Sequence, residues 1–243
     1  MKLIHSYHET PWIDSETARR ETLARATWAI ANPNSWIESN PLRLQDLPRR
    51  FRDNDREMAF MLDIITLGIR KCTEPDSYLL LSNADTCFTP DLKAQVTAAL
   101  ERSPRGLSGP RRDFVRIDHP LTAEEICKGA EYTGTDIFII QPAWWYTRRD
   151  WMPDMVHGAE MWDHILRGIM RIDGLASVSN LVCHENHQSR WTRPENRHTL
   201  PSQRHNQTLG HRWMAALPEE SRALVNQDFC DGNVYRQTLE AMK

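Results

Sequence analysis

Five side chains carry most of the chemistry this sequence offers. Asp85 ends the triplet Asn83-Ala84-Asp85, which follows the apolar run Tyr78 to Leu81. A lone carboxylate at the end of a buried strand suits magnesium or manganese, hard cations that take oxygen donors and leave positions for phosphate and water. Far along the chain stands His184-Glu185-Asn186-His187. Its spacing is not the H-E-x-x-H of a helical zinc site. A neutral imidazole is nevertheless a common metal ligand, so one of these two histidines can complete a shell begun by Asp85. His187, farther into the loop, is the favoured one. The plainer reading is an ordinary polar turn and a pair of surface histidines.

Gly158-Ala159-Glu160-Met161-Trp162-Asp163 opens an expected helix. Acidic residues there complement the helix dipole. Beside a cleft, Glu160 or Asp163 can also act as a general base, and their i, i+3 spacing puts them on one helix face. Asp136, at the head of Ile137-Phe138-Ile139-Ile140, either caps a turn or binds a sugar hydroxyl. Arg49, Arg50, Arg52 and Arg56 form a cationic cluster suited to phosphate or to solvent.

Strands and helices must position these groups. Lys2 to Tyr7 and Ser35 to Ser39 read as strands. Asp14 caps a helix to about Ala31. Asn54 and Glu57 signal a second helix, with Met58, Met61, Leu62, Ile65 and Ile69 on one face. Tyr78 to Leu81 is a strand buried on both faces, and Thr89-Pro90 starts the next helix. A strand is expected near Asp113 to Ile117, a capping box at Thr122 and Glu125, a strand over Asp136 to Gln141, and one or two helical turns over Ala143 to Trp151. A helix over Ala159 to Arg171 and a strand over Ser177 to Cys183 follow. Two short helices, Pro218 to Val225 and Val234 to Met242, close the chain. This alternation predicts an α/β fold with a single, mostly parallel twisted sheet flanked by helices, of Rossmann-like character, with a helical C-terminal appendage.

The 243 residues suffice for one large domain, and 40% hydrophobic with 26% charged residues describes a globular chain with a real core. A net charge of -3 sets up no global field toward nucleic acid or membrane. No apolar stretch is long enough to span a bilayer, and the start of the chain has no signal-peptide core. Five scattered cysteines read as reduced thiols, which points to the cytoplasm.

Taken together, these segments resemble the nucleotide-sugar-dependent glycosyltransferases of the GT-A fold. The resemblance covers residues 1 to 191. Asn83-Ala84-Asp85 with Phe88-Thr89-Pro90-Asp91 is similar to that family's D-x-D region, with Asn83 in place of the first aspartate. Gly134-Thr135-Asp136-Ile137-Phe138, followed by Met152-Pro153, Gly158 and Trp162-Asp163, resembles its acceptor-side segment. His184 to His187 falls where many members place a metal-binding histidine. The resemblance implies a catalytic domain over 1–191 and a helical extension over 192–243. It implies Mn2+ or Mg2+ on Asp85 with His187 or His184, and a UDP-sugar or related donor near His5, Tyr7, Trp12, Arg56, Asn83, Ala84 and Asp136. Glu160 or Asp163 is the implied base of an inverting transfer.

The acceptor is open. Trp162, Arg190, Trp191 and Arg193 are candidate acceptor or phosphate contacts. Arg197, His198, Arg204, His205, His211 and Arg212 extend that cationic stretch, a pattern that can track DNA, with a hydroxymethylated pyrimidine as acceptor. The same residues can instead clamp the donor diphosphate or form a lid. Two other classes compete: a sugar-nucleotide nucleotidyltransferase, disfavoured because Ser6 to Trp12 has no glycine, and a non-catalytic binding module.

Overall fold

The chain begins with β1 (Lys2–Glu9), α1 (Ser15–Ile30), β2 (Ile37–Arg43), the hairpin β3 (Arg50–Asp53) and β4 (Arg56–Ala59), and α2 (Met61–Lys71). There follow β5 (Ser77–Ser82), β6 (Cys87–Phe88), α3 (Leu92–Arg102), β7 (Gly106–Phe114), α4 (Ala123–Ile126) and β8 (Ala130–Ile140). The last elements are α5 (Pro142–Arg148), α6 (Trp162–Ile172), β9 (Ala176–Ser177), β10 (Val182–Glu185), α7 (Pro201–Ala216) and α8 (Glu219–Asn226). This computed structural model describes residues 1–9, 14–187 and 199–226. The expected helix over Val234 to Met242 lies outside them.

One sheet organises the molecule, in the order β2-β1-β5-β8-β7-β10-β6, with β9 also pairing with β7. Side chains alternate across it. Leu80, Ile137 and Ile139 belong to the core shared with α1 and α3. Leu79, Leu81, Phe138 and Ile140 belong to the core shared with α2, α5 and α6. Both faces are covered, which is why these strands read as continuous apolar runs. At Gly68 of α2 an added Cβ would lie 2.6 Å from Leu79 Cδ1 and 2.7 Å from Ser6 Oγ, so only glycine lets the helix lie this close to the sheet.

The expectation of a mostly parallel sheet is corrected: the sheet is mixed. β1 runs parallel to β2 and β5, and β7 parallel to β9 and β10. β8 is antiparallel to both β5 and β7, and β6 is antiparallel to β10. An apolar run reports burial on both faces and carries no information on strand direction. The second difference concerns Asn54. It does not cap a helix. It takes a positive φ of 56° at the tip of the β3–β4 hairpin, where Asp53 pairs with Arg56, and the helix starts only at Met61. Asn serves both roles because its short polar side chain tolerates the left-handed conformation that tight hairpins need.

Helix α7 has no apolar stripe. Its buried face is Ser202, Gln203, Asn206 and Gly210, so the periodicity that reveals other helices is missing here. Together with α8 it packs against α6, where Gly168 faces Trp213 and Val225. Among the described residues no helix is long and apolar enough to cross a membrane.

Candidate functional site

The end of β5, the start of β8 and the end of β10 meet at one rim of the sheet, around a cleft of about 410 Å³. Asn83, Ala84 and Asp85 leave β5 in a short turn closed by Thr86 N–H on Asn83 O at 3.3 Å. Helix α1 holds this turn in place. Trp28 Nε1 donates to Thr86 O at 2.8 Å, and Phe88 N–H donates to Thr27 Oγ1 at 2.9 Å. The two-residue strand β6 then pairs with β10, Cys87 opposite Cys183 and Phe88 opposite Val182. Asp85 and His184 therefore emerge side by side. Glu185 turns away, accepting from Ile117 N–H at 2.9 Å and pairing with Arg19. Asn186 N–H bonds Phe114 O at 2.7 Å, which brings His187 back over the rim.

The result is a convergent donor set. Asp85 Oδ2 lies 3.2 Å from His184 Nε2 and 3.0 Å from His187 Nε2. The ligand atoms of these three residues all lie within 4.8 Å of one another. One carboxylate and two imidazoles aimed at a common point can hold a divalent cation. A second layer backs them. His184 Nδ1 faces Asp113 Oδ1 at 3.7 Å, in ion-pair but not hydrogen-bond range. Arg111 binds Asp113 at 2.7 Å and Asp136 at 2.8 Å, with Tyr132 against the guanidinium at 3.9 Å. Carboxylates behind a ligating histidine orient it and raise its basicity.

The charges follow from this packing. Burial opposes ionisation of Asp85, yet the two histidines, His184 first, hold its carboxyl well below the usual range. Burial and Arg111 both work against a charged His184, but Asp85 and Asp113 outweigh them and push it up to about 10. Without a cation, the cluster keeps a proton on His184 and a negative charge on Asp85.

The acidic pair sits across the same cleft. Gly158 and Met161 both take positive φ, 76° and 77°, and this sharp turn delivers the chain into α6. Asp163 lies in the first turn, its Oδ2 accepting from Thr135 N–H at 3.2 Å. Glu160 precedes the helix, so the two do not share a helix face as the spacing suggests, yet both line the cleft. Helix α7 clamps the Glu160 turn: Glu160 N–H donates to Gln203 Oε1 at 3.0 Å, Asn206 Nδ2 donates to Glu160 O at 2.9 Å, and Gln207 binds the carboxylate.

Asn83, Ala84, Arg56, Asp136 and Trp162 also line the cleft, although Asp136 is engaged by Arg111. His5 and Tyr7 do not. His5 is fully buried, hydrogen-bonded to Ser82 Oγ at 2.8 Å and surrounded by Tyr7, Trp28 and Phe88, and Tyr7 joins the core on that side. The cleft residue of β1 is His8. Trp12, Arg190, Trp191 and Arg193 lie outside the described residues. Sequence reasoning missed His8, His157, Arg111 and Asp113. The available signals were a histidine ending the first strand, a histidine before Gly158, and an Arg-Arg-Asp run in a strand. No protein-family model matches the chain, and no curated protein is significantly similar to it.

Proposed function

We propose that this chain is a metal-dependent glycosyltransferase that moves a sugar from a nucleoside-diphosphate sugar, most simply a UDP-sugar, to a hydroxyl acceptor. The observation that carries this reading is the convergence of Asp85, His184 and His187 in the cleft that Glu160 and Asp163 also line. These parts suit a displacement at the anomeric carbon in which the acceptor oxygen bonds to it and its bond to the diphosphate breaks. Asp85, His184 and His187 would hold Mn2+ or Mg2+, and the two imidazoles favour manganese, since magnesium prefers oxygen. When bound, the cation supplies positive charge against the charge developing on the diphosphate.

The remaining work belongs to the side chains. Arg56 lies on the cleft wall as a cation for phosphate oxygens, and the Asn83 amide can donate to a sugar or ribose hydroxyl. Asp163 or Glu160 takes the proton from the acceptor hydroxyl as its oxygen attacks the anomeric carbon, with inversion there. A positioned base of this kind contributes roughly 10²- to 10⁴-fold. A hydroxymethylated base in DNA is a second acceptor reading, favoured by the open groove that Arg204, His205 and Arg212 line beside Phe51.

The test is a thermal-shift screen of nucleoside diphosphates and their sugar conjugates with and without Mn2+, followed by donor hydrolysis or transfer. Stabilisation that needs both nucleotide and cation, and is lost in Asp85→Ala, supports the reading. A chain stabilised by no nucleoside diphosphate refutes it. A nucleotidyltransferase would instead consume a nucleoside triphosphate and release pyrophosphate. A binding module would be stabilised but turn nothing over.

A further inference from the structure

The cleft contains polar groups that neither the cation nor the base uses. His8, at the C-terminal end of β1, is only 9% exposed, and among the described residues neither of its ring nitrogens has a hydrogen-bond partner. Its ring meets that of His157 edge-on, with centroids 5.2 Å apart. The ring of His157 in turn packs against Trp162 at 5.7 Å. All three line the cleft, as does Arg56 of β4. The backbone fixes the pair. His8 sits in the ladder between β1 and β2, opposite Leu42. His157 N–H donates to Ala59 O at 2.8 Å, and the adjacent Val156 is bonded at both N–H and C=O by Asn206.

A buried polar atom without a partner is costly, and a well-packed chain rarely leaves two on one ring. The two unpartnered nitrogens on the cleft wall therefore point to a ligand. Its chemistry follows from the imidazoles. Burial holds both neutral, His8 down to about 4 with help from Arg56, and His157 down to about 3 with help from His8 and Arg56. A neutral imidazole has one donor and one acceptor nitrogen. Phosphate and carboxylate only accept, and would leave the acceptor nitrogen unmet. A hydroxyl donates and accepts, so a ring bearing several hydroxyls satisfies both. His157 stands on the same turn as Glu160, beside the candidate base, which is where the transferred sugar must lie.

Building on the glycosyltransferase reading, we propose that the His8–His157 pair on the cleft wall is the specificity subsite for the hydroxyls of the transferred sugar. The nucleoside and the diphosphate bind elsewhere in the cleft. The pair distinguishes a sugar nucleotide from its bare diphosphate.

The experiment is calorimetric titration of the full chain in Mn2+ with two matched pairs of probes, UDP with UDP-glucose and GDP with GDP-mannose. It is run on the wild type and on His8→Phe, His157→Phe and His8→Gln. Phenylalanine keeps the ring volume and removes the orphaned nitrogens, so His8→Phe is expected to melt no lower than wild type. It should bind the preferred sugar nucleotide roughly tenfold more weakly while leaving the matching diphosphate unchanged. His157→Phe should do the same, and carries the test if His8→Phe does not fold. Glutamine at position 8, with a donor and an acceptor, should recover part of the loss. Equal weakening of diphosphate and sugar nucleotide would assign the pair to the nucleoside and overturn the proposal. So would an unchanged affinity for the sugar nucleotide. A wild-type chain that binds none of the four probes defeats the glycosyltransferase reading itself, and the sugar subsite with it.

Discussion

Asp85 Oδ2 and His184 Nε2 stand 3.2 Å apart across a sequence separation of 99. The contact is set by backbone pairing between β6 and β10, so the fold itself brings together the groups that could hold a cation. Replacing Asp85 or His184 by alanine should abolish Mn2+ binding in isothermal titration. Mn2+ at a hundred times its Kd should stabilise the wild type by about 2.7 kcal/mol and the variants not at all. Retained tight binding by Asp85→Ala would remove this cluster as the metal centre.

Protons and a cation at this cluster would compete for the same side chains. His184 is raised from an ordinary 6.5 to about 10, so around neutral pH it must lose a proton to ligate. Metal affinity should therefore rise with pH from about 7 to about 10, with proton release visible as a buffer-dependent enthalpy. In chelator the sign is reversed for stability. A raised histidine contributes fully below 6.5 and loses its contribution as pH rises through about 10. The depressed Asp85 contributes above 3.8 and loses that as pH falls. Melting in chelator should fall toward pH 10, a decline that Mn2+ flattens.

His5 works in the opposite direction. Burial lowers it from 6.5 to about 3, so the unfolded chain binds the extra proton between those values and stability rises with pH across that window. His5→Gln should flatten the acid limb of a melting-temperature profile, at the cost of some stability from altered packing around Trp28 and Phe88. An unchanged acid limb would mean that His5 does not control it.

Arg111 bridges two buried carboxylates, Asp113 and Asp136. Arg111→Met removes the cation that both carboxylates share and should destabilise the chain by about 3–5 kcal/mol in urea titrations. Adding Asp113→Asn and Asp136→Asn to that variant should restore much of the loss, because the uncompensated charges are gone. A loss that persists would place the cost in packing against Tyr132 instead.

In the proposed transfer, Asp163 and Glu160 are the two candidates for the base. The variant that removes it, Asp163→Asn or Glu160→Gln, should lower kcat by roughly 10²- to 10⁴-fold with little change in melting temperature. Asn206→Ala should do the converse. It strips hydrogen bonds from Val156 and Glu160 and should cost about 1–3 kcal/mol of stability.

What could be read in advance divides along physical lines. Asp14, Thr122 and Glu125 cap helices as their types suggest, because capping is local chemistry. The convergence of Asp85 with both histidines follows from strand ends meeting at one rim. Strand direction at β8 was not legible, since Ile137 to Ile140 looks the same running either way. Helix α7 was hidden because Gln203 and Asn206 bury amides that bond to a loop, where the usual signal is a buried methyl group. The resemblance sets His5 beside the donor. The alternation of β1 sends it into the core and leaves His8 at the rim.

The antiparallel rung that sets Cys87 opposite Cys183 has a mechanical consequence. Asp85 lies just before that rung on one strand, and His184 just after it on the other. The rung thus behaves as the pivot of a caliper whose jaws are the carboxylate and the imidazole. Both cysteines are buried in the core beneath that rung, so the spacing of carboxylate and imidazole is tied to how tightly the interior is packed there.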